Sequence, residues 1–278
     1  MKKLYPGGII NMKIIGIVGS PRKEKGLTSK VIKNTLNGAA ESGADTEIVY
    51  LRDLDPDYCI HCDFDCFSNL QCKQEKGLNT LFKKIEKADG IVLGGPVYIW
   101  QINALTVSFL EKMRLKTGPW SEDNNNNKSA LGIAVAGGTG TGVFPALKSI
   151  YSFLNLWEFN PLQPIPVTRF NFDKALKLAK KAGTKMGKNS IKNITDTAEI
   201  MAAYDQLDYL DFSRADEFCW LARQIIKELE DNISVEKIDK LKSQLIEGDN
   251  YLEQNRGQAI KLYMETYKKA RKIWESVF

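Results

Sequence analysis

Two compact groups of residues in this 278-residue chain could do chemistry. The first is Gly19-Ser20-Pro21-Arg22, followed by Lys23, Lys25, Gly26, Thr28 and Ser29. Hydroxyls, backbone N–H groups and an always-charged guanidinium beside a helix start together suit a phosphate. It is not a Walker motif, because no Gly-Lys-Ser/Thr closes it, and it lacks the Gly-x-Gly-x-x-Gly of dinucleotide folds. The second group is Cys59, Cys62, Cys66 and Cys72, spaced C-x2-C-x3-C-x5-C. Spacers this short let consecutive sulfurs converge on one centre. The four thiols could therefore wrap an iron-sulfur cluster, hold a Zn ion, or stay reduced with no metal. His61, the single histidine, stands directly beside Cys62 and reads as a surface neighbour, and Cys219 beside Trp220 reads as core.

Two further loops could receive something flat. Gly94-Gly95-Pro96-Val97-Tyr98-Ile99-Trp100-Gln101 turns the chain at a strand's end and offers apolar and aromatic side chains as the wall of a slot. Core packing of the same aromatics is the competing reading. Gly137-Gly138-Thr139-Gly140-Thr141-Gly142 permits close backbone approach. It mimics a dinucleotide fingerprint but falls too late in the chain, with no acidic residue about 20 positions on, so it reads as a second wall of the slot. Phosphate, tail and flat ring together describe FMN. Hydrolysis has no support: with one histidine, inside the cysteine loop, no Ser-His-Asp arrangement can be built. A flavin carries its own redox chemistry and leaves position and electrostatics to the protein.

The elements that must position these groups alternate. Strands are predicted over 12–19, 46–51, 90–95, 130–136 and 163–168, and helices over 29–40, 78–88, 103–113, 143–156 and 174–186. That alternation is the signature of a doubly wound α/β domain with a parallel sheet, and five strands favour the flavodoxin-like order. Two connections are long. Residues 52–77 hold all four clustered cysteines, and 114–128 include Asn124 to Asn127 and read as an exposed excursion. Beyond about Thr195, three amphipathic helices are predicted, carrying Phe218, Leu221, Ile225 and Leu229, then Ile238, Leu241 and Leu245, then Ile260 to Val277. The expected organisation is an N-terminal arm over 1–11, a flavodoxin-like domain over 12–192 and a helical extension over 193–278.

Composition excludes several classes. With 43% hydrophobic and 26% charged residues the chain is an ordinary folded protein, not a disordered or fibrous one. The net charge of +5 is uneven, and residues 174–192 carry seven lysines and no acid. Aromatics are not interleaved there, so the stretch reads as a solvated helix face and nucleic acid is not an expected partner. The uncharged runs 90–110 and 130–147 each contain a Gly-Gly pair and a Pro, which suits strand, loop and helix better than a membrane span. Five cysteines, an odd number, four of them clustered and without a secretion signal, point to a reducing compartment and a cytoplasmic protein.

On the Gly-Ser-Pro-Arg opening, the cysteine loop, Gly-Gly-Pro-Val-Tyr and the helix from Leu105 to Met113, residues 12–190 resemble the flavodoxin-like NADPH-dependent FMN reductases, and within them the iron-sulfur flavoproteins. The resemblance implies that Ser20, Arg22, Thr28 and Ser29 hold the FMN phosphate. It implies that Pro96, Val97, Tyr98 and Ile99 face the isoalloxazine and that Gly137, Gly138 and Thr139 close over it. It also implies a 4Fe-4S cluster on Cys59, Cys62, Cys66 and Cys72, an electron donor that is NAD(P)H or a ferredoxin-like protein, a small-molecule acceptor, and a homodimer or homotetramer. Two departures stand out. Leu27 replaces the family's usual Asn in Gly-Asn-Thr, and three residues rather than two separate the second and third cysteines. The alternatives are an NAD(P)H-dependent FMN or quinone reductase without a cluster, and a non-catalytic flavodoxin-like electron carrier.

Overall fold

Apolar, largely β-branched runs without charge can be buried on both faces of a sheet. In the computed structural model, which describes residues 4–5, 8–9, 12–63, 66, 72–74, 77–113, 127–191 and 194–278, the strand Lys13–Val18 (β1) carries such a run from Ile14 onward. Ile14 and Val18 pack into one core layer, while Ile15 and Ile17 pack into the other, as side chains alternating across a strand must. Strands Asp45–Tyr50 (β2), Gly90–Tyr98 (β3), Ser129–Ala136 (β4) and Ile165–Thr168 (β5) complete a parallel sheet in the order β2-β1-β3-β4-β5. This is the flavodoxin-like order, in which the winding reverses between β1 and β3. The expected fold class is therefore the observed one.

Beyond the single turn Leu51–Leu54, the helices are Leu27–Ala40 (α1), Leu78–Lys87 (α2), Ala104–Met113 (α3), Val143–Leu156 (α4), Phe172–Gly187 (α5), Thr197–Asp205 (α6), Arg214–Leu229 (α7), Val235–Tyr251 (α8) and Arg256–Val277 (α9). The α1 and α5 helices cover one face of the sheet; α2, α3, α4 and α6 cover the other. A Cβ built on Gly183 of α5 would stand 1.8 Å from the Thr35 carbonyl oxygen of α1, so those two backbones touch. Ala175, Ala179 and Met186 are the buried stripe of α5, and Lys174, Lys177, Lys180, Lys181 and Lys185 face water, as expected for a solvated helix face. Helices α7, α8 and α9 build a third core of their own, into which Phe170 projects from just beyond β5.

Several boundaries move for physical reasons. Helix α1 begins two residues early because Leu27 packs against the core layer beneath it. Strand β3 runs three residues past its expected end and turns back to pair Val97 with Ile102 and Tyr98 with Gln101. Helix α6 was not expected; its signal, Asp196 with Glu199 three residues on, is a cap. Within the N-terminal arm Leu4–Tyr5 pairs antiparallel with Gly8–Ile9. The expected boundary at 192–193 and most of the 114–128 excursion lie outside the described residues. Both uncharged runs resolve into strand, loop and helix. Among the described residues no helix is long and apolar enough to cross a membrane.

Candidate functional site

Adjacent parallel strands bring the ends of β1, β3 and β4 to one rim, and hydrogen bonds stitch their loops together. The Gly19 N–H donates to the Gly94 carbonyl oxygen at 2.7 Å, and the Asn103 side-chain amide donates to the Gly19 carbonyl oxygen at 2.8 Å. The Asn103 Oδ1 in turn accepts from the Thr106 hydroxyl at 2.7 Å. Both side chains are buried. A Cβ on Gly19 would sit 1.9 Å from the Thr106 hydroxyl, so this loop passes over α3 only as glycine.

The first loop leads into α1. Ser20 and Thr28 are buried, and Gly26, the residue preceding the helix, offers no side-chain cap. No acidic residue occupies the first turn of α1. The Ser20 hydroxyl lies against Gly26, where a Cβ would be 2.7 Å away, and accepts from the Arg22 N–H at 3.3 Å. The Thr28 hydroxyl bonds to no other group among the described residues. Ser29 points elsewhere: fully buried, its hydroxyl shares a 3.3 Å hydrogen bond with the Tyr50 hydroxyl of β2. Arg22 is exposed on the same loop. Uncapped amide N–H groups beside the buried hydroxyls of Ser20 and Thr28 at a helix N-terminus form a donor set that fits a phosphate.

The second loop is not core. Pro96 and Val97 are half-buried, and Tyr98, Ile99 and Trp100 are exposed, Ile99 at 95%. The tip of this hairpin has φ of +49° at Ile99 and +63° at Trp100. Positive φ at both central residues of a two-residue hairpin belongs to Asn and Gly, not to a β-branched and an aromatic residue. Such backbone strain costs about 1–3 kcal/mol per residue and persists only where surrounding structure imposes it. On the loop after β4, Gly137 and Gly138 are exposed, and an added Cβ at either would meet nothing within 4 Å among the described residues. The rim thus has an open cradle beside an apolar turn, which suits a planar ring. Thr139 is exposed, with its hydroxyl 2.7 Å from that of Thr141.

The cysteine loop leaves the carboxyl end of β2 and is tied to the first loop by the Lys23–Asp53 ion pair at 2.6 Å. No disulfide joins the cysteines. Cys66 is buried in the core layer under α2 and α3, Cys72 packs against that layer, and Cys59 and Cys62 are half-buried. Among the described residues no three His, Cys, Asp or Glu side chains converge as a metal-holding group. The donor types suit a cluster, but this placement is not a preformed cage.

Sequence reasoning missed the residues that hold the second and third loops together. Glu217 of α7 is 1% exposed, and its Oε1 accepts from the N–H groups of Gly142 and Phe144 at 2.9 and 3.1 Å. Burial pushes its carboxyl above the usual range, against the pull of those amides and of Arg214. Arg214 donates to Glu217 Oε2 at 3.3 Å and stacks 4.1 Å above the Trp100 ring. The Tyr267 hydroxyl of α9 donates to the Thr139 carbonyl oxygen at 2.8 Å.

The fold is a flavodoxin-like doubly wound one, and its loops after β1, β3 and β4 meet at the winding reversal, where ligands of such folds bind. Residues 12–165 match the family model described as NADPH-dependent FMN reductase. The chain is 35% identical over 143 residues to an iron-sulfur flavoprotein of Methanocaldococcus jannaschii, covering 51% of this chain and 71% of that one. It is 32% identical over 102 residues to an iron-sulfur flavoprotein of Archaeoglobus fulgidus, covering 37% of this chain and 46% of that one. Among solved structures, an FMN-dependent NADH-azoreductase from Bacillus anthracis, in complex with FMN, shares the fold with a TM-score of 0.51 at 15% identity, covering 63% of this chain and 99% of that one. The chain belongs to the NADPH-dependent FMN reductase family, in its iron-sulfur flavoprotein branch, and is a flavin-dependent oxidoreductase.

Proposed function

We propose that the rim binds FMN in one orientation. The phosphate lies at the N-terminus of α1, held by Ser20, Thr28 and backbone amides, with Ser29 behind them and Arg22 outside. The ring lies between Pro96, Val97, Tyr98 and Ile99 on one side and Gly137, Gly138 and Thr139 on the other. One observation carries this reading: the uncapped, acid-free N-terminus of α1 begins beside the buried hydroxyls of Ser20 and Thr28 at the winding reversal, two strands from the exposed Gly137–Gly138 loop. Bound FMN supplies electron transfer in one- or two-electron steps. The chain's own residues bind its anionic end, keep water from one face of the ring and fix its exposed edge. The donor is NAD(P)H or a ferredoxin-like carrier, and the acceptor is a quinone, an oxygen species or a small organic molecule. Anaerobic purification followed by a visible spectrum tests the reading. Bound FMN supports it, and a colourless protein that fails to take up added FMN sinks it.

For the cysteine loop we propose that Cys59, Cys62, Cys66 and Cys72 hold a 4Fe-4S cluster, supported by the four thiols and the names of the relatives. Because Cys66 is packed into the core, assembly has to draw its sulfur outward. The second reading is an NAD(P)H-dependent FMN or quinone reductase without a cluster, supported by the family match to the NADPH-dependent FMN reductases. Iron and acid-labile sulfide analysis separates the two: about four of each per chain supports the cluster, and neither supports the simpler reductase. A homodimer or homotetramer is further proposed, because the exposed Tyr98–Trp100 turn suits coverage by a second copy. Light scattering before and after truncation near residue 194 tests whether the extension mediates it. The domain division 1–11, 12–192 and 193–278 and a cytoplasmic setting complete the proposal.

A further inference from the structure

The family match ends at residue 165, yet four residues of the helices beyond 194, Arg214, Glu217, Leu221 and Tyr267, reach the loops assigned to the flavin ring. The first turn of α7 is fixed by a capping box, in which the Ser213 hydroxyl and the Asp216 carboxylate satisfy each other's backbone N–H groups. That turn aims Glu217 at the start of α4, where its carboxylate takes the amides of Gly142 and Phe144, 75 and 73 residues away in sequence. It aims Arg214 at the Trp100 ring. Gly142 has φ of +87°, and a Cβ there would stand 2.4 Å from the Trp100 Cα, so the strained hairpin tip rests directly on the glycine loop. Leu221 packs against Gly140, and Tyr267 holds the Thr139 carbonyl. Both walls of the cradle are therefore gripped from one side by α7 and α9.

We infer that Glu217 and Arg214 are positioning residues for the flavin pocket, and that the extension is an intramolecular clamp setting the spacing between the 98–101 turn and the 137–142 loop. Neither residue needs to touch the flavin. Glu217 fixes the glycine loop through backbone amides. Arg214, neutralised on one side by Glu217, presses its guanidinium on Trp100 and so holds Ile99 and Trp100 at positive φ. The inference rests on the FMN reading, but the clamp has a readout of its own.

The test uses the full chain with four variants. Amide hydrogen exchange is followed without flavin. FMN affinity, the visible circular dichroism of bound flavin and thermal stability are then measured. Glu217→Ala is expected to speed exchange at Gly142 and Phe144 by about tenfold or more. Glu217→Gln, which keeps an acceptor oxygen, is expected to restore that protection. Arg214→Ala removes a half-exposed side chain and should fold normally. It is expected to weaken FMN binding by about fivefold, the size of one stacked cation, and to change the flavin's dichroism. Arg214→Lys, which keeps charge without a planar stack, should fall between. Unchanged protection at Gly142 and Phe144 in Glu217→Ala overturns the clamp. So does FMN affinity within twofold of wild type, with unaltered dichroism, in both alanine variants. If the wild-type chain binds no FMN, the flavin reading fails, and the exchange data alone decide whether the clamp exists.

Discussion

Two helices open onto the same rim, and their N-termini are treated in opposite ways. Each begins after a glycine, Gly26 for α1 and Gly142 for α4, and each carries the partial positive charge of unpaired amides. At α4 the protein supplies the anion itself, since Glu217 is buried against the first amides. At α1 it supplies neither a cap nor a first-turn acid, only buried hydroxyls. On the proposed reading, filling one terminus and leaving the other open would direct FMN's anionic end to α1. It also turns the α4 terminus from a binding site into a structural joint.

Making α1 resemble α4 should produce the largest effect. Thr28→Asp places a carboxylate in the first turn of α1. Two like charges about 4 Å apart near a protein surface repel by about 4 kcal/mol, so FMN affinity is expected to fall at least about a hundredfold. Riboflavin, which lacks the phosphate, should lose far less. The flavin-free protein should still fold, the helix charge offsetting part of the cost of burying the carboxylate. Parallel titrations with FMN and riboflavin check the contrast, and equal losses for the two would remove the phosphate from α1.

Making α4 resemble α1 comes next. Glu217→Ala leaves two buried amides and Arg214 without their partner, and is expected to destabilise the fold by about 2 kcal/mol. The denaturant midpoint measures this. A change near zero would mean that water replaces the carboxylate and that the joint carries no stability.

The two termini also differ in how legible they were. Gly-Ser-Pro-Arg followed by Gly-Leu-Thr-Ser could be read locally, because every group at the open end of α1 comes from one strand and the helix after it. The five strands and their helices were legible for the same reason, since each period lies within a single segment. Glu217 is one of 17 acidic residues after position 192, and nothing nearby marks it as the cap of a helix that starts 74 residues earlier. Asn103 could be read as a helix start, but not as the side chain that holds Gly19 across 84 residues. The hairpin at Ile99 and Trp100 was illegible for a different reason: its residue types contradict its backbone, and it is packed against Gly142 and under Arg214 from distant segments.

That contradiction gives a smaller prediction. Ile99→Asn puts a residue tolerant of positive φ where the chain already has it, and should stabilise the flavin-free protein by about 1 kcal/mol. FMN affinity should fall, because the apolar wall loses its most exposed member. A variant gaining stability without losing affinity would show that the turn's shape matters and its side chain does not.

The smallest effect is a dependence on pH that separates Glu217 from an ordinary surface acid. Burial raises the carboxyl of Glu217 above its usual value of 4.5. The folded chain therefore holds that proton more tightly than the unfolded chain. The stability this contributes is fully present below 4.5 and is lost as pH rises through the folded value. Glu47 runs the other way. The hydrogen bond from Lys84, and more weakly Lys13, lower its carboxyl below 4.5, so its contribution is present above that value and fades on acidification. Denaturant midpoints measured from about pH 3.5 to about pH 8 should show wild type losing ground to Glu217→Gln as pH rises, and losing ground to Glu47→Gln as it falls. Parallel curves for wild type and Glu217→Gln would mean that Arg214 and the two amides fully offset burial, which would make the α4 terminus as good an anion site as α1 and leave only its occupancy to distinguish them.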